Sequence, residues 1–146
     1  MFTIDLSKYE YTTGKIATDL DDYQVFVYSP EMIAIEKLRA ICQQMPEYTL
    51  NRTPCPRARD FFDIHLILTS TQIDLCSSAS LQLIRDIFAA KVVPLHLLQR
   101  IELQREFHRP DWDSVRISTK QVLQGFDFYF DFVLKEVSLL QALWDK

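Results

Sequence analysis

Two glycines, Gly14 and Gly125, are the whole supply in this chain of 146 residues, against a usual share of about 7%. Glycine lets backbone amides approach a phosphate closely and lets the chain turn through the left-handed region. Motifs built on clustered glycines are therefore excluded. There is no Walker loop, no dinucleotide-binding fingerprint and no nucleophile elbow. The 48% apolar and 25% charged content is ordinary for a soluble chain that buries a real core. The length suits one domain spanning residues 1–146.

The periodicity changes once along the chain. Over residues 1–29 it is two. Phe2, Ile4 and Leu6 alternate with polar residues, Tyr9, Tyr11, Thr12 and Thr13 precede Gly14, and Tyr23–Tyr28 reads YQVFVY. Ser29-Pro30-Glu31 then has a capping side chain, proline at the first helical position and an acid in the first turn. Met32, Ile35, Leu38, Cys42 and Met45 follow at helical spacing up to Pro46. A loop to Pro56 leads to a second helix over residues 57–68, burying Phe61, Ile64, His65 and Leu68. Three more helices are expected: one capped by Ser78, one opened by Pro94, and one after Gly125 that carries Phe126, Tyr129, Val133, Val137, Leu140 and Trp144. The expected architecture is α+β. A small N-terminal antiparallel sheet (residues 1–29) is followed by a helical bundle (residues 30–146).

The net charge of −4 argues against a generally basic nucleic-acid binder. Within residues 36–59, however, Lys37, Arg39, Arg52, Arg57 and Arg59 stand against only Glu36 and Glu47. A basic island in an acidic chain suggests a local anion site. Cys42, Cys55 and Cys76 are odd in number and lack C-x-x-C spacing, which fits a reducing compartment better than a disulfide framework. No signal peptide and no membrane-length apolar run is recognisable, so a cytoplasmic location without membrane association is expected. His96 and His108 have no partner at metal-binding spacing, and no zinc is expected. The FDFYFDF run is read as core rather than as a base-stacking platform, because Asp127 and Asp131 would repel phosphate.

Chemistry concentrates in Glu36-Lys37-Leu38-Arg39-Ala40 and in Arg57-Ala58-Arg59-Asp60-Phe61-Phe62-Asp63. Asp60 and Asp63 are three apart and Arg59 and Asp63 four apart, so their side chains share a helix face. If the two helices are neighbours, a lysine, two arginines and two carboxylates converge. Lysine would act as a point charge on a triphosphate and arginine as a bidentate clamp, with Asp60 aligning or deprotonating a hydroxyl. The same residues can equally be ion pairs, Lys37–Asp60 and Arg59–Asp63, that only pin one helix to the other.

The run SPEMIAIEKLRAICQQ followed by RARDFFDIHLIL resembles the AbiEii/AbiGii toxin family of nucleotidyltransferases, in which one helix bears A-E-K-L-x-A and the next R-x-x-D-x-x-D-[IL]. The tryptophan in PDWDSV, Trp112, adds to the likeness. The resemblance spans roughly residues 20–115 and is closest over 29–68. It implies a polymerase-β-like enzyme that transfers a nucleotide to RNA, tRNA ends in some members, as the toxin of a toxin–antitoxin pair. By the same resemblance Lys37 binds nucleotide phosphate with Arg57 and Arg59 nearby. Asp60 is then the late catalytic aspartate and Asp63 the second acid of its motif.

The family's glycine-rich element and metal-binding D-x-D have no recognisable counterpart here. Asp19-Leu20-Asp21 is the only D-x-D, and a polar turn explains it equally well. Magnesium and a nucleoside triphosphate are the cofactor and substrate of the intact family enzyme, and neither is expected to be held tightly by this chain alone. The expectation is the C-terminal portion of such an enzyme, truncated or split and inactive by itself. Its partners would be an antitoxin, a complementary chain carrying the metal site, or a second copy of itself, with RNA as acceptor. The alternative is a non-catalytic interaction module or degenerate remnant. Truncation would leave Phe2, Ile4, Val25 or Val27 exposed or covered by another copy.

Overall fold

The change of period at Ser29 is where the helical body begins in a computed structural model of the chain, which describes residues 15–20, 23–50 and 53–145 and side chains from Tyr28 onward. Ser29 accepts the amide of Met32 through its hydroxyl at 3.2 Å, with Pro30 and Glu31 in the first turn, and α1 runs over Pro30–Cys42. Five further helices follow: α2 (Ala58–Thr71), α3 (Ser78–Ala90), α4 (Arg105–His108), α5 (Trp112–Ser118) and α6 (Phe126–Ser138). Ser77, not Ser78, caps α3. After Pro94 the chain winds as a 3-10 helix over Leu95–Gln104 rather than an α-helix, yet Leu97, Leu98 and Ile101 still turn inward.

Helix α1 is central. It packs against α2, α3 and the 3-10 segment, while α2 also meets α5 and α6. Met32, Ile35, Leu38 and Ile41 of α1 are buried against Phe61 and Ile64 of α2, Ile84, Ile87 and Phe88 of α3, and Phe130 and Val133 of α6. An aromatic seam runs through this core. Phe61 stacks on Phe130 at 4.9 Å and meets Phe126 edge-on at 5.7 Å, and Trp112 leans on Tyr129 at 5.3 Å. The FDFYFDF run therefore supplies core: Phe126, Tyr129 and Phe130 are buried, and Phe128 is half-exposed.

The α+β expectation does not hold. The described domain is helical, and among the described residues no sheet layer covers or supports it. Among the described residues β structure is limited to one two-stranded antiparallel ribbon, Lys15–Leu20 with Tyr23–Tyr28. Two strands alone bury too little to form a layer, and every described core side chain comes from the helical body between Met32 and Leu143. Period-two patterning marked extended chain correctly at Tyr23–Tyr28, but it carried no information on whether further strands would pair alongside. The strands expected over residues 1–13, and the exposure expected at Phe2, Ile4, Val25 and Val27, lie outside the described backbone or side chains. Among the described residues no helix is long and apolar enough to cross a membrane.

Candidate functional site

The packing of α1 on α2 brings both halves of the charged constellation together. Lys37 leaves α1 beside its buried stripe, and its Nζ lies 3.3 Å from Asp60 Oδ1 and 3.1 Å from Asp63 Oδ2. Arg57 Nε donates to Asp60 Oδ2, and Arg59 Nε stands 3.7 Å from Asp63 Oδ2. The charges alternate in sign as Arg57, Asp60, Lys37, Asp63, Arg59, with one net positive charge. Asp60 is buried, Lys37 is about a quarter exposed, and Arg59 is exposed. Arg59 also donates to Ser118 Oγ at 3.2 Å, tying α2 to α5.

Two clefts open beside this chain of charges. One, of about 270 Å³, is lined by Tyr28, Ile33, Glu36, Lys37, Arg39, Ala40 and Arg57. The other, of about 330 Å³, is lined by Ile33, Lys37, Asp63, Leu66 and Ile67. Ile33 and Lys37 form the ridge between them. Each cleft has room for a phosphate or a base, at the lower limit of small-molecule sites. In the first, the Arg39 guanidinium is buried and held to Glu36 at 2.6 Å. Ala40 gives the cleft a low wall, as its small side chain suggests.

The start of α2 is organised from far along the chain. Arg57 offers no side-chain cap. Instead its amide donates to His108 Nδ1 at 2.9 Å, and the amide of Ala58 donates to Asp111 Oδ2 at 3.1 Å. His108 is fully buried, its ring 5.1 Å from that of Phe61 and 5.0 Å from that of Phe107. Burial pushes the imidazole down to about 4, with Asp60 pulling it up and Arg57 pushing it down. The ring is thus neutral, and because Nδ1 accepts, its proton resides on Nε2, which has no partner among the described residues. A buried donor left unpaired costs about 1–3 kcal/mol. Sequence reasoning passed over both residues, because it tested His108 only for metal-ligand spacing. The available signal was the H-x-x-D spacing immediately before Trp112.

The family model for the nucleotidyl transferase AbiEii toxin of type IV toxin–antitoxin systems matches residues 3–135. This chain belongs to the AbiEii toxin family. It is a nucleotidyltransferase-like protein of a toxin–antitoxin system. The match extends beyond residues 20–115, where the motifs alone supported the likeness. Comparisons with curated proteins and with solved structures give no match.

Nucleotidyl transfer by such enzymes typically uses a metal ion to neutralise the charge that develops on the phosphates. Asp60 and Asp63 of this AbiEii chain do not fit a resident divalent ion. The ammonium of Lys37 already stands between the two carboxylates, and Arg57 and Arg59 hold their outer sides. The Asp19–Asp22 stretch lies outside the described side chains.

Proposed function

We propose that this AbiEii-family domain supplies the phosphate-binding and late acidic residues for nucleotide transfer to RNA. Lys37 neutralises the triphosphate, Arg57 and Arg59 widen the cationic rim, Asp60 orients the nucleophile and Asp63 holds Lys37 in place. The observation that carries this reading is the ammonium of Lys37 on the ridge between two clefts, held by two carboxylates and still about a quarter exposed to an incoming phosphate. Metal ligands have to come from outside this group of five charges, and the isolated chain is accordingly expected to bind without turning over. A complementary chain or segment bearing the metal site, and an antitoxin, are the partners this reading implies.

One observation favours a second reading. Both carboxylates are already matched to cations, which is also what an ion-pair clamp between α1 and α2 in a non-catalytic module or remnant would need.

Equilibrium binding of labelled ATP separates the two. The catalytic reading expects weak binding that falls as salt rises. It expects Lys37→Ala to weaken it about tenfold or more, as loss of a charge-assisted contact does, while Asp60→Ala leaves it unchanged or improves it by removing a repelling carboxylate. Binding that ignores Lys37→Ala would leave only the clamp. Magnesium-dependent labelling of tRNA by the isolated chain would overturn the expected inactivity and direct attention to Asp19 and Asp21.

A further inference from the structure

The first four amides of a helix have no partner within it, and a residue just before the helix usually satisfies one of them. In α2 that local cap is missing, and acceptors 51 and 53 positions downstream in the chain take its place. Both come from a single tight turn. His108 closes α4, Arg109–Asp111 winds as a 3-10 turn, and Asp111 leads into α5. We propose that His108 and Asp111 are positioning residues for the phosphate site. They fix the first turn of α2, and through it they set Arg57 and Asp60 against Lys37 on α1. This inference rests on reading those three residues as a phosphate-binding group.

The connection is short and continuous. His108 holds the backbone of Arg57, the Arg57 side chain holds Asp60, and Asp60 holds Lys37. The amide of Asp60 donates in turn to the Arg57 carbonyl at 3.0 Å. A first turn that frays would carry the Arg57 guanidinium away from Lys37 and break up the cationic rim, because α1 has its own cap at Ser29 and does not follow. Asp111 adds a negative charge at the N-terminal end of α2, where the aligned peptide dipoles favour it.

The identity of residue 108 points the same way. A phenylalanine would fill the space between Phe61 and Phe107 and would carry no unpaired ring N–H, but it would leave the Arg57 amide without its acceptor. The imidazole retains an unpaired Nε2–H and in exchange offers Arg57 a neutral acceptor in the core.

Two substitutions set shape against acceptor. His108→Phe keeps the ring and removes the acceptor, whereas His108→Asn keeps an oxygen near the Nδ1 position and removes ring volume. Three quantities are measured on each full-length variant: the melting temperature, the affinity for labelled ATP, and the exchange rate of the Arg57 and Ala58 amides by NMR. The positioning role expects the two orders to cross. Phe should melt at the higher temperature yet lose ATP affinity about tenfold and expose the Arg57 amide to exchange. Asn should melt lower and retain affinity within about threefold. Affinity that simply follows melting temperature would reduce His108 to a core residue and overturn the inference.

The second half of the turn gives an independent pair should His108→Asn fail to fold. Asp111→Asn keeps the acceptor and should protect the Ala58 amide, and Asp111→Ala should not. If the wild-type chain binds no ATP, the phosphate reading fails. Amide exchange at Arg57 and Ala58 then decides the capping geometry by itself, and unchanged exchange in His108→Phe and Asp111→Ala would refute it.

Discussion

Two clusters of mixed charge decorate this domain, one at the α1–α2 contact and one where α4 meets α6. In the second, Arg105 reaches Asp127 at 2.9 Å and Asp131 at 2.7 Å, and Arg109 reaches Asp127 at 2.8 Å and Glu106 at 2.9 Å. Its three carboxylates are more than half exposed. The guanidiniums lie over the aromatic core, Arg105 at 4.4 Å from the Phe130 ring and Arg109 at 5.7 Å from Phe126. Hydrogen bonds to these arginines hold Asp127 and Glu106 below the usual carboxylate range, and the carboxylates hold Arg105 and Arg109 above the usual arginine value. Two cations face three anions there, so the cluster repels phosphate. At α1–α2 three cations face two anions, one of them the buried Asp60, and clefts open on either side of the central lysine. Mixed charge by itself therefore does not mark a site. A surplus of positive charge, a buried carboxylate and an adjoining cleft are what set the proposed phosphate site apart.

The comparison breaks most readily at Asp60. Replacing it by alanine leaves Arg57 without its carboxylate partner and Lys37 with Asp63 alone in a part-buried contact. This should lower unfolding free energy by about 3–4 kcal/mol. Asp127→Ala should cost no more than about 0.5–1 kcal/mol, because exposed pairs are weak. Urea midpoints of the two variants test this, and equal losses would erase the distinction.

A second expected effect depends on pH. The folded His108 titrates near 4, below its unfolded value of 6.5. Between those values the unfolded state binds the extra proton, so stability is intact above about 6.5 and declines as the pH falls towards 4. The loss should amount to about 3 kcal/mol. His108→Phe should flatten that part of the stability profile, while Asp127→Ala should leave it in place. Asp127, held below the usual carboxylate range by Arg109 and Arg105, loses what it contributes at more acid pH. A wild-type profile parallel to that of His108→Phe between pH 6.5 and 4 would contradict the burial of a neutral ring.

The smallest effect is in salt. A double-mutant cycle on Arg109 and Asp127 should give a few tenths of a kcal/mol at low salt and nearly nothing at 1 M, where the Debye length is about 3 Å. The corresponding Lys37–Asp63 coupling should persist, since both groups are largely withdrawn from solvent. Equal screening of the two would show the α1–α2 contact to be as open as the other.

The five charges of the site were legible because their spacing lies on two consecutive amphipathic helices, and such helices tend to pack as neighbours. The buried stripes of α1 and α6 were legible for the same reason. The fold class was not. Alternation at residues 1–29 specifies an extended chain, but whether strands assemble into a layer depends on partners that no local pattern encodes. His108 and Asp111 stayed hidden on different grounds. Their role is to accept two backbone amides, and backbone amides leave no trace in residue identity. Nothing local to Arg57 indicates that its cap comes from elsewhere.

That distant cap bears on the order in which the site is made. Ribosomes add about 5–20 residues each second, and His108 follows Arg57 by 51 positions. Lys37, Arg57 and Asp60 therefore emerge some seconds before the turn that sets the first turn of α2. A nascent chain holds these charges without their final arrangement, and the proposed phosphate site is completed late in synthesis.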